Sequence, residues 1–460
     1  MSKSDEWRSE ATSTQQISRR TLIRLTGVGV AAGALAACGP SLSSKASAKN
    51  ASAGGKVTLR YWTFMKSGPS DDPRTKAQGM ILDAFRKAHP DIAVVEELVP
   101  WDQLQRQFMQ AAAGGKSPDV SRQLDSSIGT LVDAKAISSL DPYVNSWSDT
   151  EKKDFMYSWD DTVFSSHKYA LRQSLRIANM NFYRPGMFKS AGIETLPTTM
   201  TEFTQAVREV TRAPISGFLM PFSKSDNLNR FLQTTPPLLW AMGSDFVDLQ
   251  TGQPTFNGEA GKQLFQWFQD LVYKEDVSPK GEVTMDSETA GRLFAGGTLA
   301  STWHHTSQWS EWSALAKTPI GLDTTTQPNP TGSSSLVPAS TQGGWTLVMG
   351  KDAKKDAAWK LISFITSKEA ELIDAKIAGE LPTRASTLDA DPFFKSNEFA
   401  RQRKWLQYLR ENSHTGTTIK IKNLPALADA LGDAVQEIIG NRANVGSMLD
   451  AAAQRYSAQV

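Results

Sequence analysis

Cysteine is almost absent from this chain: its 460 residues include one, Cys38. No disulfide can form within the chain, so a hydrophobic core must hold the fold together. Long apolar runs are missing too. The uncharged, Ala/Gly-rich stretch Leu25–Ala37 has 13 residues, short of the about 20 a helix needs to cross a bilayer. Neither sign of charge dominates, with 50 Lys and Arg against 48 Asp and Glu. The first 38 residues hold five of the basic side chains and three of the acidic ones, leaving 45 of each. Such a balance argues against a nucleic-acid partner. No HExxH, CxxC or EF-hand loop is present, so neither metal nor cofactor is expected. Gly27-Val28-Gly29 with Gly33 has the wrong spacing for a dinucleotide loop, and Gly115-Lys116-Ser117 has Gln110 where a P-loop requires glycine.

What is present begins with an address. Ser18, the pair Arg19-Arg20, Leu22-Ile23 and Arg24 resemble the twin-arginine export signal of bacteria. The 13-residue run then has the length of a signal h-region. Leu35-Ala36-Ala37-Cys38 resembles a lipobox, in which the cysteine is acylated and becomes the first mature residue. Residues 1–38 are therefore expected to be a lipoprotein signal peptide. Residues 39–55, GPSLSSKASAKNASAGG, contain one large apolar side chain, Leu42, and read as a flexible tether. The expectation is an exported body, lipid-anchored through Cys38 to the outer face of the cytoplasmic membrane.

About 400 residues remain, more than one core usually serves, so two lobes are expected. Val57–Trp62 alternates apolar and polar residues as a strand does. Ala77, Met80, Ile81, Ala84, Phe85 and Ala88 recur at helical spacing, stopped by His89-Pro90. Ile92–Val95 is extended; Trp101, Leu104, Phe108 and Ala111 mark a second helix, and Val120 opens a third strand before the helical Ile128, Leu131 and Val132. This β-α-β-α-β-α order predicts a parallel α/β sheet covered on both faces. Ligands bind such sheets beyond the carboxyl ends of the strands.

A succession of segments then carries a family resemblance: FRKAHPDIAVV, QAAAGGKSPDV, LVDAKAISSLDPYV, FAGGTLAST, GGWTLVMGKDAKKDAAWKLISFITSKEAE and GELPTR. In this order, and with YALRQS…NMNFYRPGMFKSAGIETLPTTMTEF between the third and fourth, the chain resembles the extracellular solute-binding proteins of carbohydrate ABC importers, the maltose-binding-protein-like class. That resemblance implies a type II periplasmic-binding-protein fold with two discontinuous lobes around a ligand cleft. Lobe one would take 56–167 and 345–378, lobe two 168–342 and 380–460. It implies a carbohydrate-binding receptor and no enzyme, acting as a monomer, with the ABC permease subunits as membrane partners.

A sugar cleft needs flat aromatics for C–H faces and rigid polar groups for hydroxyls. Thirteen tryptophans make the first easy to meet. Trp62 ends the first strand, Trp240 precedes Ala241-Met242-Gly243, Trp303 follows an apolar run, and Gly344-Trp345 sits at a crossing segment. Trp101, Trp267 and Trp359 lie on helical apolar faces and read as core. Among polar candidates, Asp125 and Ser126 follow the third strand, although Ser126 could equally cap the next helix. Arg172 and Arg176 flank one crossing and Arg384 another; an arginine fork suits two neighbouring hydroxyls. His304 is a candidate hydrogen-bonder; with His305 beside it on a strand, the two should point apart, which disfavours a metal site.

Two alternatives stay open. The same fold could bind a non-sugar solute such as a glycerophosphodiester or a peptide. More remotely, Ser165-Ser166-His167-Lys168 and Ser225-Asp226-Asn227 echo the S-x-x-K and S-D-N motifs of a secreted β-lactamase, one of the exported hydrolases, but Pro330 stands where K-T-G needs its lysine.

Overall fold

A computed structural model of the chain describes residues 56–460 apart from 157, 227, 322–326, 333–336, 341–343, 415–420 and 422. The signal peptide, Cys38, the tether and Asn227 lie outside the described residues.

Two sheets organise the body. In the first, β1 (Val57–Thr63) pairs in parallel with β2 (Ile92–Leu98), register Val57 with Ile92 through Thr63 with Leu98, and on its other side with β3 (Val120–Leu124). Between β1 and β2 runs helix α1 (Pro73–Ala88), and between β2 and β3 helix α2 (Leu104–Ala113). Helix α1 starts where Asp72 accepts from the backbone N–H groups of Arg74 and Thr75 with Pro73 in the first turn. It buries Ala77, Ile81, Leu82 and Phe85, while Met80 faces outward at 42 % exposure. Strand alternation distributes β1 between two cores. Leu59 and Tyr61 pack with Phe85, Leu361 and Ile362 on one face, and Trp62 packs with Phe108 and Ile128 on the other.

In this sheet the expected parallel pairing is found for these three strands. Trp345–Gly350 enters antiparallel to β3, Trp345 opposite Leu124, and also pairs with Ala170–Arg172 and Ile137–Ser138. A late segment inserted beside an early strand leaves no local sequence signal of its direction. Because Ala170–Arg172 belongs to this sheet, the chain leaves it after Arg172.

The second sheet has Leu299–His304 at its centre, antiparallel to Met180–Tyr183 and parallel to Ser216–Leu219. Its largest core gathers Phe203, Phe218, Phe268, Trp303 and helical residues from Leu427 to Tyr456. The connections between sheets touch one another: Leu175 N–H donates to the Leu381 carbonyl at 2.8 Å, and Thr306 N–H to that of Ile177 at 3.0 Å.

A buried ion cluster holds one connection. The Arg172 guanidinium is fully buried and meets Asp125 at 2.8 Å and Asp161 at 2.7 Å. Asp125 also accepts from the Gly344 N–H at 3.1 Å. A Cβ at residue 344 would lie 2.1 Å from Arg172 Nη1, so glycine is required there by close approach.

Replacing Arg172 by Met should lower stability by about 3–5 kcal/mol at neutral pH, because two buried carboxylates lose their cation. Burial already pushes the Asp161 carboxyl upward against the pull of Arg172; without that cation its proton is held more firmly in the native state, and stability falls as pH rises. Urea unfolding at pH 4.5 and 7.5 should therefore show a smaller deficit at the lower pH; an equal deficit at both would contradict this account. A second test concerns Glu282, which is buried, accepts from the Met220 N–H at 3.0 Å, and is pushed up to about 8 by burial. Its native pKa exceeds the unfolded value, so its contribution is complete at acid pH and is lost as pH rises toward 8. Glu282→Gln should flatten the dependence of melting temperature on pH between 5 and 8, whereas parallel profiles for variant and parent would refute the assignment.

Candidate functional site

The carboxyl ends of the strands converge on one cavity system. Phe64 follows β1, Trp101 follows β2 and Leu124 ends β3; from the second sheet come His304 at the end of the central strand and His305 after it. With Trp345 these residues line a cavity of about 370 Å³. A neighbouring cavity of about 210 Å³, lined by Ser126, Lys224 and Leu424 among others, shares Trp101, Leu124, Asn229 and Gln233 with it. Their combined volume suits a small-molecule ligand, and both walls carry aromatics with a few polar groups.

The aromatic element is built from strand pairing. Trp345 lies opposite Leu124, and its ring sits 4.2 Å from that of Phe64 at 32°. The two rings pack against each other as an aromatic platform on the cavity wall, with Trp345 only 7 % exposed. Trp312 lines the same cavity.

Polar groups surround this platform. Arg74 on α1 reaches Glu311 at 2.7 Å and Gln308 at 3.4 Å, elements that follow the second sheet's central strand, so this ion pair ties the two halves of the cavity wall together. Arg230 donates to Gln233 at 3.0 Å and to His305 Nε2 at 3.2 Å. His305 Nδ1 is 2.6 Å from the Ser307 hydroxyl, and His304 Nδ1 accepts from the His305 N–H at 3.0 Å. Burial, together with the nearby Arg230, Arg176 and Arg74, holds both imidazoles well below the usual histidine range, so they are neutral hydrogen-bonding groups.

Of the residues singled out in the sequence, the structure brings Ser126, His304 and Trp345 to the cavities, together with Arg176. The others are placed elsewhere, each for a visible reason. Trp303 is fully buried against Phe218 and Trp267, because at its strand position it faces the core. Trp62 meets Phe108 edge-on and donates to Glu97 at 2.6 Å. Trp240 donates to Asp245 at 2.8 Å. Asp125, Arg172 and Gly344 form the ion cluster described above and line neither cavity. Arg384 donates to the Thr366 carbonyl at 2.8 Å and covers the Phe155 ring at 3.9 Å. His304 and His305 do not point apart: the strand ends at His304, the chain turns, and the rings stand 4.3 Å apart on the same cavity.

Phe64, Arg74, Trp101, Arg230, Gln233 and Trp312 were not foreseen there. Trp101, read as a helical core residue, precedes the first turn of α2, and the end of β2 could have signalled its position. Arg230 and Trp312 sit on short helices with no local mark of what they face. The hydrolase echo dissolves: Ser165 and Ser166 make the left-handed turn of a small hairpin, while Lys168 donates to the Trp159 carbonyl and lies over its ring.

Comparison with solved structures matches the whole architecture. The GacH receptor of Streptomyces glaucescens, solved unliganded and with acarbose, is 19 % identical with a TM-score of 0.72, covering 87 % of this chain and 97 % of the receptor. The maltose/maltodextrin-binding domain MalE of Bdellovibrio bacteriovorus, bound to maltotriose, is 19 % identical with a TM-score of 0.73, covering 88 % and 99 %. UgpB of Mycobacterium tuberculosis, in complex with glycerophosphocholine, is 18 % identical with a TM-score of 0.73, covering 88 % and 98 %. These likenesses establish a type II periplasmic-binding-protein fold. The sequence profile of bacterial extracellular solute-binding proteins matches residues 68–372, more than half of the chain, and the protein therefore belongs to the bacterial extracellular solute-binding protein family.

Proposed function

We propose that this protein captures a sugar, an oligosaccharide in the first instance, and delivers it to an ABC importer in the membrane. The observation that carries this reading is the Phe64–Trp345 platform inside a cavity rimmed by neutral histidines, Gln233 and Asn229. Flat rings take the C–H face of a pyranose, and fixed amides and imidazoles take its hydroxyls. Receptors of the same fold bind acarbose and maltotriose, which supports the choice of ligand class. In this reading the two sheets are the cores of two lobes that close on the ligand about the crossing segments, and contacts made to both lobes favour the closed state. Binding needs no chemistry on the sugar.

A glycerophosphodiester is the second reading, favoured by four arginines on the larger cavity, Arg74, Arg176, Arg230 and Arg292. Three of these already face carboxylates: Glu311 at 2.7 Å, Glu380 at 3.3 Å and Glu288 at 3.8 Å. Little positive charge is left for a phosphate, and the sugar reading is preferred.

Cys38 anchors the body to the membrane through a lipid in this proposal, with export by the twin-arginine route and residues 39–55 as the tether.

Calorimetric titration of a soluble body from Lys56 onward with mono- and oligosaccharides should give one-to-one binding without turnover. Trp345→Ala should weaken that binding about tenfold or more while leaving the fold intact; unchanged affinity would remove the platform from the site. For the anchor, Cys38→Ala should shift the full-length protein from the membrane to the soluble fraction and abolish labelling by a radioactive fatty acid. Retention of the label would place acylation elsewhere.

A further inference from the structure

His304 closes the central strand of the second sheet and lines the larger cavity, although only 2 % of it is exposed. Its ring is wedged among Trp312 at 4.9 Å, Phe182 at 6.4 Å and His305 at 4.3 Å. Nδ1 accepts from the His305 backbone N–H at 3.0 Å. An amide N–H can only donate, so in the neutral imidazole the single ring proton sits on Nε2. Nε2 has no hydrogen-bond partner among the described residues, and it is not one of the polar atoms sealed from solvent; the exposure it keeps opens on the cavity that His304 lines. The neighbouring ring is fixed by the same logic. Arg230 Nη2, which can only donate, meets His305 Nε2 at 3.2 Å, so the His305 proton is on Nδ1 and faces the Ser307 hydroxyl, 2.6 Å away. Both tautomers are set by donors that cannot reverse, and burial beside Arg230, Arg176 and Arg74 keeps both rings neutral.

We propose that His304 is a specificity residue whose Nε2–H donates to an oxygen of the bound sugar, with His305 and Arg230 as positioning residues that fix its tautomer and orientation. The assignment rests on the sugar reading above and deepens it, since one place on the ligand must then carry a hydrogen-bond acceptor. A hydroxyl or ether oxygen meets that requirement with a lone pair. A protonated amine has none, and it would enter beside Arg74, Arg176 and Arg230, so an ammonium is excluded at that position. The ring is already ordered by its packing, and the new hydrogen bond costs little further side-chain entropy. A ligand that covers this N–H without accepting from it leaves a buried donor unsatisfied, which is the source of the discrimination.

The test combines calorimetry with nuclear magnetic resonance of the full chain carrying isotope-labelled histidine rings. A panel of neutral mono- and oligosaccharides identifies a binder by calorimetry, ring signals are recorded without and with that saccharide at saturation, and His304 is assigned from the signals lost in His304→Gln. The His304 ring should carry a proton on Nε2 and none on Nδ1, and the saccharide should shift that proton and slow its exchange with water. His304→Leu should bind the same saccharide about tenfold more weakly. His304→Gln, which keeps an N–H at similar reach, should recover most of that loss, each variant being checked for folding by its thermal melt. A proton on Nδ1, or an Nε2 proton that the bound saccharide leaves unmoved, refutes the assignment even where the Leu variant fails to fold, and so does unchanged affinity in a folded His304→Leu. If the parent binds no saccharide, the sugar reading fails and this assignment falls with it, an outcome distinct from binding that leaves the His304 proton where it was.

Discussion

The contact on which the site depends is the one that Asp125 makes with two partners at once. One carboxylate holds the Arg172 guanidinium and the Gly344 N–H, joining the end of β3, the departing strand Ala170–Arg172 and the returning strand at Trp345. Arg172, balanced on its other side by Asp161, fills the space where any side chain at 344 would lie. A buried guanidinium tolerates little displacement, since moving it from either carboxylate leaves a charge uncompensated in a low-dielectric interior. The returning strand is thereby fixed in register opposite β3, and register decides which face each side chain occupies. Trp345 then falls beside Phe64, and the platform exists.

From that anchor the division of labour among charged residues follows. Arg172 and Arg384, both candidates for ligand contact in the sequence, have other partners in the structure: one closes the ion cluster and the other covers aromatic rings between Asp154 and the Thr366 carbonyl. The cavity instead uses arginines already matched to carboxylates or imidazole, which leaves a nearly neutral polar wall. Such a wall suits hydroxyl groups, whose recognition needs many directed hydrogen bonds and little net field. The Arg74–Glu311 pair ties together elements associated with the two sheets, and partly exposed ion pairs of this kind contribute modestly, which in the proposed receptor leaves ligand contacts to decide between open and closed arrangements.

Local order was readable where a segment's neighbours in sequence are also its neighbours in space. The three β-α units of the first sheet and the stop at His89 follow from short-range periodicity and turn chemistry. The antiparallel insertion of Trp345–Gly350 does not, because its partners lie more than 170 residues away. Tryptophans show the same limit. Trp303 and Trp345 look alike in sequence, each at the edge of an apolar strand, yet one faces Phe218 and the other Phe64.

By itself, then, the sequence determined the class of body, through alternating strands and helices and a near balance of charge, and supplied the motifs on which the proposed export address rests. It could do so because periodicity, composition and short motifs are properties of contiguous residues. Which aromatics meet the ligand cavity, which arginines are bound to carboxylates, and why residue 344 is glycine were decided only in the tertiary structure. Those outcomes depend on pairing between strands distant in the chain, and a change of one residue in register would turn every one of those side chains to the opposite face.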